Sequence, residues 1–229
     1  MKIERVLFWF RDGQEKLINL NDDFFGLRVL FTRLLNENYR GKKINFINVD
    51  FMTDNTYAYY PILKRESAEI FGKDLRYFGT FDNVYFSKFN KADKQLYIWD
   101  KAHNYLLEMA KISHNEELQK AVEFSYLQGL KLKLIPDYEN VNLEFQYNNI
   151  IYKASIWICF ADDYMYSKLI VENTGRKIFE KEIARTKIGV ELFLSIYKKI
   201  ILKNDFLIVQ GAKDVDHLPF KMALKDVIF

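Results

Sequence analysis

Three histidines, one cysteine and a scatter of carboxylates are the groups in this chain that could take part in chemistry. Asp214-Val215-Asp216-His217 brings two carboxylates and an imidazole together, donors suited to a divalent metal or to acid–base work. The competing reading is a polar loop in which Asp216 caps a short terminal helix with Pro219 in its first turn. His103 falls on the apolar stripe of a helix, four residues after Trp99, and reads as a core or boundary histidine. His114 follows Ser113 and reads as solvated. These two sit on different helices, so the H-E-x-x-H zinc spacing is absent. Cys159, within Ile156-Trp157-Ile158-Cys159-Phe160, stands where a small hydrophobe belongs and lacks the electropositive setting of a nucleophile. Asp137, Glu144, Asp162 and Asp163 invite comparison with an acidic nuclease core, but Glu144-Phe145-Gln146 has Gln where E-x-K requires Lys. The nine glycines never assemble into a phosphate cradle, and there is no G-x-S-x-G elbow. The expectation is a chain without a catalytic apparatus, cofactor or metal, with Asp214, Asp216 and His217 as the alternative metal set.

Two clusters remain as recognition surface. Tyr57, Tyr59 and Tyr60 precede Pro61, and Tyr164 and Tyr166 follow the acidic turn Asp162-Asp163. Tyrosine contributes a large rigid area with a polar tip, which suits an interface. The competing reading is ordinary packing, since alternate residues of a strand enter a core.

Composition bounds the rest. Aromatics make up 17% of the 229 residues and Pro occupies three positions, a balance that argues for a packed core and against disorder. The surplus of three positive charges falls within 1–136, while 137–229 is balanced, so neither part asks for nucleic acid. The longest apolar runs, such as 196–202, are broken by Lys198 and Lys199 and fall short of a membrane span. A single cysteine and the charged start Met1-Lys2-Ile3-Glu4-Arg5 predict a cytoplasmic protein.

The elements that would position these groups read as α+β: an antiparallel meander sheet with packed amphipathic helices. One domain over 1–229 is expected, with 1–136 and 137–229 as subdomains. Residues 3–10 and 15–20 predict a hairpin about Asp12-Gly13, followed by a helix capped at Asp22 or Asp23 with Phe24, Leu27, Phe31, Leu34 and Leu35 inward. A strand follows over 44–51. Residues 57–60 and 84–86 read as short strands, with breaks at Gly72 and Gly79. Helices are expected over 92–112, with Leu96, Trp99, His103, Leu106 and Ala110 in one stripe, and from a Ser113–Glu116 capping box to Gln128, with Gly129 as the terminal left-handed residue. The meander spans 141–183, with turns at Asn148-Asn149, Asp162-Asp163 and Asn173-Thr174-Gly175 and a charged edge strand from Arg176. A helix over 187–202 and a strand over 205–210 close the pattern. Strand, turn, strand, helix, strand is thus read twice, over 3–51 and 164–210, which would make a weak duplication.

Tyr147-Asn148-Asn149-Ile150-Ile151-Tyr152, Ile156 to Asp163, and Ile178-Phe179-Glu180-Lys181-Glu182-Ile183 before a helix resemble bacterial immunity proteins of polymorphic toxin systems. The resemblance covers about 140–202 and carries no functional residue across. It implies a non-enzymatic cytoplasmic protein whose partner is a cognate toxin domain, neutralised by occlusion, with no membrane or nucleic acid involved. The slightly basic charge implies a toxin that is not a basic nuclease, or one met by a local acidic patch such as Asp162-Asp163. The rival classes are a metal-dependent hydrolase or nuclease, and a structural subunit of a phage or secretion assembly.

Overall fold

Val6, Phe8 and Phe10 alternate with Arg5, Leu7 and Trp9, and this stretch becomes β1 (Arg5–Asp12) with the phenylalanines and Val6 buried. The computed structural model describes residues 2–41 and 43–228 and has two units, Met1–Pro136 and Asp137–Phe229.

In the first unit Gly13, at φ 57, turns the chain into a two-residue β2 (Glu15–Lys16). The predicted return strand ends there, because Leu17 closes back onto the Phe10 carbonyl and α1 (Ile18–Asp23) begins. Asp22 and Asp23 therefore end one helix instead of capping the next. α2 (Phe25–Asn38) buries the expected Leu27, Phe31, Leu34 and Leu35. It leads to β3 (Phe46–Met52), which lies parallel to β1, so β1-α2-β3 is a crossover unit. Then come α3 (Asp54–Tyr59), β4 (Ser67–Phe71), β5 (Asp74–Thr80), α4 (Asn83–Ser87), α5 (Lys91–Ile112) and α6 (Glu116–Lys131). The sheet order is β2-β1-β3-β5-β4, with β1, β3 and β5 parallel.

The free edge of β1 is covered by side chains. The amides of Ile3, Val6 and Phe10 donate to Asn36 Oδ1 (2.9 Å), Thr32 Oγ1 (2.9 Å) and Asn21 Oδ1 (3.2 Å). Asn36 returns its own NH2 to the Ile3 carbonyl at 2.7 Å, standing in for a neighbouring strand. On the core face α2 packs over β1 and α5 over β3 and β5, with Phe31 and Trp99 rings 4.3 Å apart.

Several local expectations give way here. Residues 57–59 and 84–86 are helical and Tyr60 closes the first of these turns, because Thr53 and Asp82 accept the amides of Thr56 and Tyr85 as N-caps. Leu96 is exposed, and the inward stripe of α5 runs Ile98, Trp99, Ala102, Tyr105, Leu106, Met109. Ser113 ends α5, its hydroxyl donating to the Met109 and Ala110 carbonyls, while Asn115 caps α6. Gly129 lies inside α6 and does not terminate it. A Cβ there would stand 2.1 Å from the Trp99 ring, so the position is glycine because the indole needs the space.

The second unit is antiparallel throughout. β6 (Tyr138–Tyr147), β7 (Ile150–Phe160), β8 (Tyr164–Asn173) and β9 (Arg176–Lys187) form the expected meander in sequence order. Asn148 and Asn149 take positive φ at its first turn, Thr174 and Gly175 at its third. β9 is the charged edge. Where a helix was expected over 187–202, a 3-10 turn (Glu191–Ser195) leads into β10 (Tyr197–Lys203), which pairs with β11 (Phe206–Gly211) and through it β12 (Phe220–Ala223). The tail is likewise a strand, entered through a cis Leu218–Pro219 peptide. With no α-helix in 164–210, the two segments read as a duplication fold differently. No helix among the described residues is long and apolar enough to cross a membrane.

Candidate functional site

Tyr57 is buried with Met52 and Phe78, so it packs instead of presenting itself. Tyr59 is exposed, its ring 4.8 Å from that of Tyr60, and the Arg11 guanidinium lies 5.6 Å from the Tyr60 ring. Asp162 and Asp163 are exposed; Tyr164 and Tyr166 are half-buried, with Arg185 4.1 Å over Tyr164. The two tyrosine clusters belong to different units.

The Asp214, Asp216 and His217 set does not assemble. Asp214 and Asp216 are exposed, and His217 Nε2 lies 3.3 Å from the Tyr197 hydroxyl, which also meets Ser167. Burial lowers the His217 pKa, against the opposing charge of Asp216, and pushes Tyr197 up to about 12. Among the described residues no three His, Cys, Asp or Glu side chains gather as a metal-ligand group. His103 stacks on Tyr126 at 4.1 Å, and burial pushes the Cys159 thiol up to about 12, which keeps it protonated.

Two other features of the first unit concentrate recognition chemistry. The sheet face opposite the helices carries the rows Arg5–Phe46–Asp74–Phe71, Leu7–Asn48–Arg76–Glu69 and Trp9–Asp50–Phe78–Ser67. Tyr57 and Leu63 cover Met52 and Phe78 at one end. Toward the other end Leu7 and Phe46 are half-buried, Trp9 is 44% exposed and Phe71 62%. The surface is held in place: Trp9 Nε1 donates to Asn48 Oδ1 at 3.0 Å. The Arg76 guanidinium grips the buried Asp50 through two bonds of 2.7 and 3.0 Å, and lies 4.9 Å from the Phe78 ring.

The second feature is a crevice of about 320 Å³ outside the carboxyl ends of β1, β3 and β5. Ligands of open α/β sheets collect at such ends because every strand there delivers a loop. The ladder extends into it, with the Thr53 amide on the Arg11 carbonyl (3.1 Å) and the Phe81 amide on the Met52 carbonyl (2.7 Å). Asp12 is the hub, accepting from Thr53 Oγ1 at 2.7 Å and Asn55 Nδ2 at 2.9 Å, and from the Asn83 side chain. The Thr53 hydroxyl, against the effect of burial, and then the two amides hold its carboxyl below the ordinary aspartate range. Asp54, Asp82, Thr80, Tyr97 and Lys101 complete the polar lining.

Neither feature is among the candidates read from the sequence. The signal for the crevice was present: three apolar runs end in Arg11-Asp12-Gly13, Thr53-Asp54-Asn55 and Thr80-Phe81-Asp82-Asn83, each with an acidic residue at or just past the end of a strand. The open face had no such signal, since it depends on which strands neighbour which. No protein-family model matches the chain, and no curated protein or solved structure matches it.

Proposed function

We propose that this chain is a non-enzymatic binding protein with a protein partner, and, following the resemblance of its meander, that the partner is a cognate bacterial toxin domain met in the cytoplasm and neutralised by occlusion. The observation that supports the reading is the half-open sheet face. Parallel sheets ordinarily bury both faces, and here one end of a face is left uncovered with a tryptophan and two phenylalanines among arginines. Trp and Arg dominate binding hot spots, and a standard interface takes about 800 Å² from each partner.

The test is affinity capture of the tagged chain from its native cells, followed by Trp9→Ala. A single stoichiometric protein should co-purify, and Trp9→Ala should weaken it by about 30-fold, the effect of a ~2 kcal/mol hot spot. Recovery of the chain alone, under conditions that preserve a micromolar complex, would sink the reading. So would a partner indifferent to Trp9 and to Phe46→Ala.

A further inference from the structure

A separate hollow of about 410 Å³ lies where the loop from α2 enters β3, at the opposite end of the strands from the crevice at Asp12. It is lined by Tyr39, Gly41 and Lys43 and by Asn115, Glu116 and Glu117 at the start of α6. Tyr39 is only 2% exposed, yet its hydroxyl has no hydrogen-bond partner. Buried polar groups are nearly always paired, because one left alone carries the cost of losing its water. Gly41 comes close to that hydroxyl: a Cβ there would stand 2.3 Å from its oxygen. The φ of Gly41 is not positive, so the approach to Tyr39, and not the backbone, calls for glycine. α6 adds unspent donors, since the first amides of a helix have no intrahelical acceptor. The Asn115 side chain takes the Leu118 amide at 3.0 Å and its carbonyl takes that of Gln119 at 3.0 Å. Among the described residues, nothing accepts from the amides of Glu116 and Glu117.

We infer that this hollow binds one carboxylate group, held by the Glu116 and Glu117 amides, the Tyr39 hydroxyl and the Lys43 ammonium. Successive amides at a helix start suit the two oxygens of a carboxylate, and the helix dipole favours negative charge there. The hydroxyl supplies a third donor, and the ligand in turn relieves it of being buried unpaired. The surroundings set the charge of the ligand. One ammonium, Lys43, stands against the carboxylates of Glu116 and Glu117, all three exposed and screened by water. That balance favours a monoanion over a phosphate or sulfate dianion, which the two glutamates repel twice as strongly. The carboxylate belongs either to a small free acid or to the C-terminus of a peptide. The site is distinct from the open sheet face and does not depend on whether that face meets a partner.

The probe is sodium acetate titrated into the full chain at constant pH and ionic strength, following the amide NMR signals of Glu116 and Glu117. Acetamide is the neutral control and sulfate the dianion. Acetate should saturate with a Kd of about 10 mM, sulfate should bind at least about 3-fold more weakly, and acetamide should not bind. Tyr39→Phe keeps the ring and removes only the hydroxyl. It should weaken acetate about 10-fold while leaving the urea midpoint unchanged or higher, because it deletes a buried group that the free protein leaves unpaired. Glu116→Gln with Glu117→Gln should tighten acetate about 3-fold and sulfate by more. N-acetylglycine, which presents a peptide C-terminus, separates the two sources. Tighter binding than acetate assigns the carboxylate to a chain end, and equal or weaker binding assigns it to a small free acid. Equal shifts from acetate and acetamide, no saturation at either amide, or sulfate binding tighter than acetate would each overturn the inference. So would a Tyr39→Phe protein that binds acetate as the unsubstituted chain does, since the hydroxyl would then be met by solvent alone.

Discussion

The two units of this chain reach a buried core by opposite routes. In the second, neighbours in sequence are neighbours in space: β6, β7, β8 and β9 follow one another, each joined by a short turn. In the first, β1 meets β3 only after the whole of α2, and β3 meets β5 across α3 and β4. A meander is specified by local alternation and turn chemistry. A parallel sheet is specified by what packs on it. The first unit should therefore be sensitive where its helices pack, and the second at its turns.

The largest break should come at Trp99, fully buried against Phe31 and Gly129. Trp99→Ala is expected to cost ~3–5 kcal/mol, seen as loss of hydrogen-exchange protection throughout residues 2–136, with β7 and β8 still protected. Equal loss in both units would erase the contrast. Gly129→Ala attacks the same contact from the other side and should cost ~1–3 kcal/mol by overpacking, read from the urea midpoint. In the second unit the matching test is the Asn148-Asn149 turn. Asn149→Val places a β-branched residue at φ 62 and should cost ~1–2 kcal/mol, whereas Asn149→Gly should be neutral or better.

The smallest effect is a pH dependence that the units share. His103 in the first and His217 in the second both have pKa values lowered, chiefly by burial. Unfolded histidines near 6.5 bind protons that the folded ones refuse, so stability is full above that value and is lost as pH falls through it. Urea melts at pH 7.5 and 5.5 should show the loss, and His103→Gln and His217→Gln should each remove part of it. A midpoint independent of pH over that interval would refute the account.

The same contrast governs what could be read from the sequence. The meander was legible because Val141, Leu143 and Phe145 alternate with polar residues and paired asparagines mark the turn. Misreading 187–202 as a helix has a specific cause. Ile188, Leu192, Phe193, Ile196 and Ile200 recur at spacings of four, one, three and four, which is the helical pattern, and Phe193, Ile196 and Ile200 are buried while Leu192 is exposed. Here it arises from a 3-10 turn followed by an irregularity between Tyr197 and Lys199, which puts Tyr197 and Ile200 on the same side. The crevice stayed hidden because Asp12, Thr53 and Asn83 are far apart in sequence and meet only through parallel strand order. The open face stayed hidden because Trp9 and Phe46 alternate as any half-buried strand would.

The side-chain cover on the β1 edge has a consequence for how the chain is made. A ribosome delivers β1 well before Thr32 and Asn36, and before β3. Until then the nascent strand has bare amides on both sides and is open to pairing with any other extended segment. Translation of α2 ends that exposure on one side and, in the same step, carries the polypeptide back to lay β3 on the other. The crossover helix thus serves as the strand's own chaperone, and its Thr32 and Asn36 are as much a safeguard during birth as a part of the finished molecule.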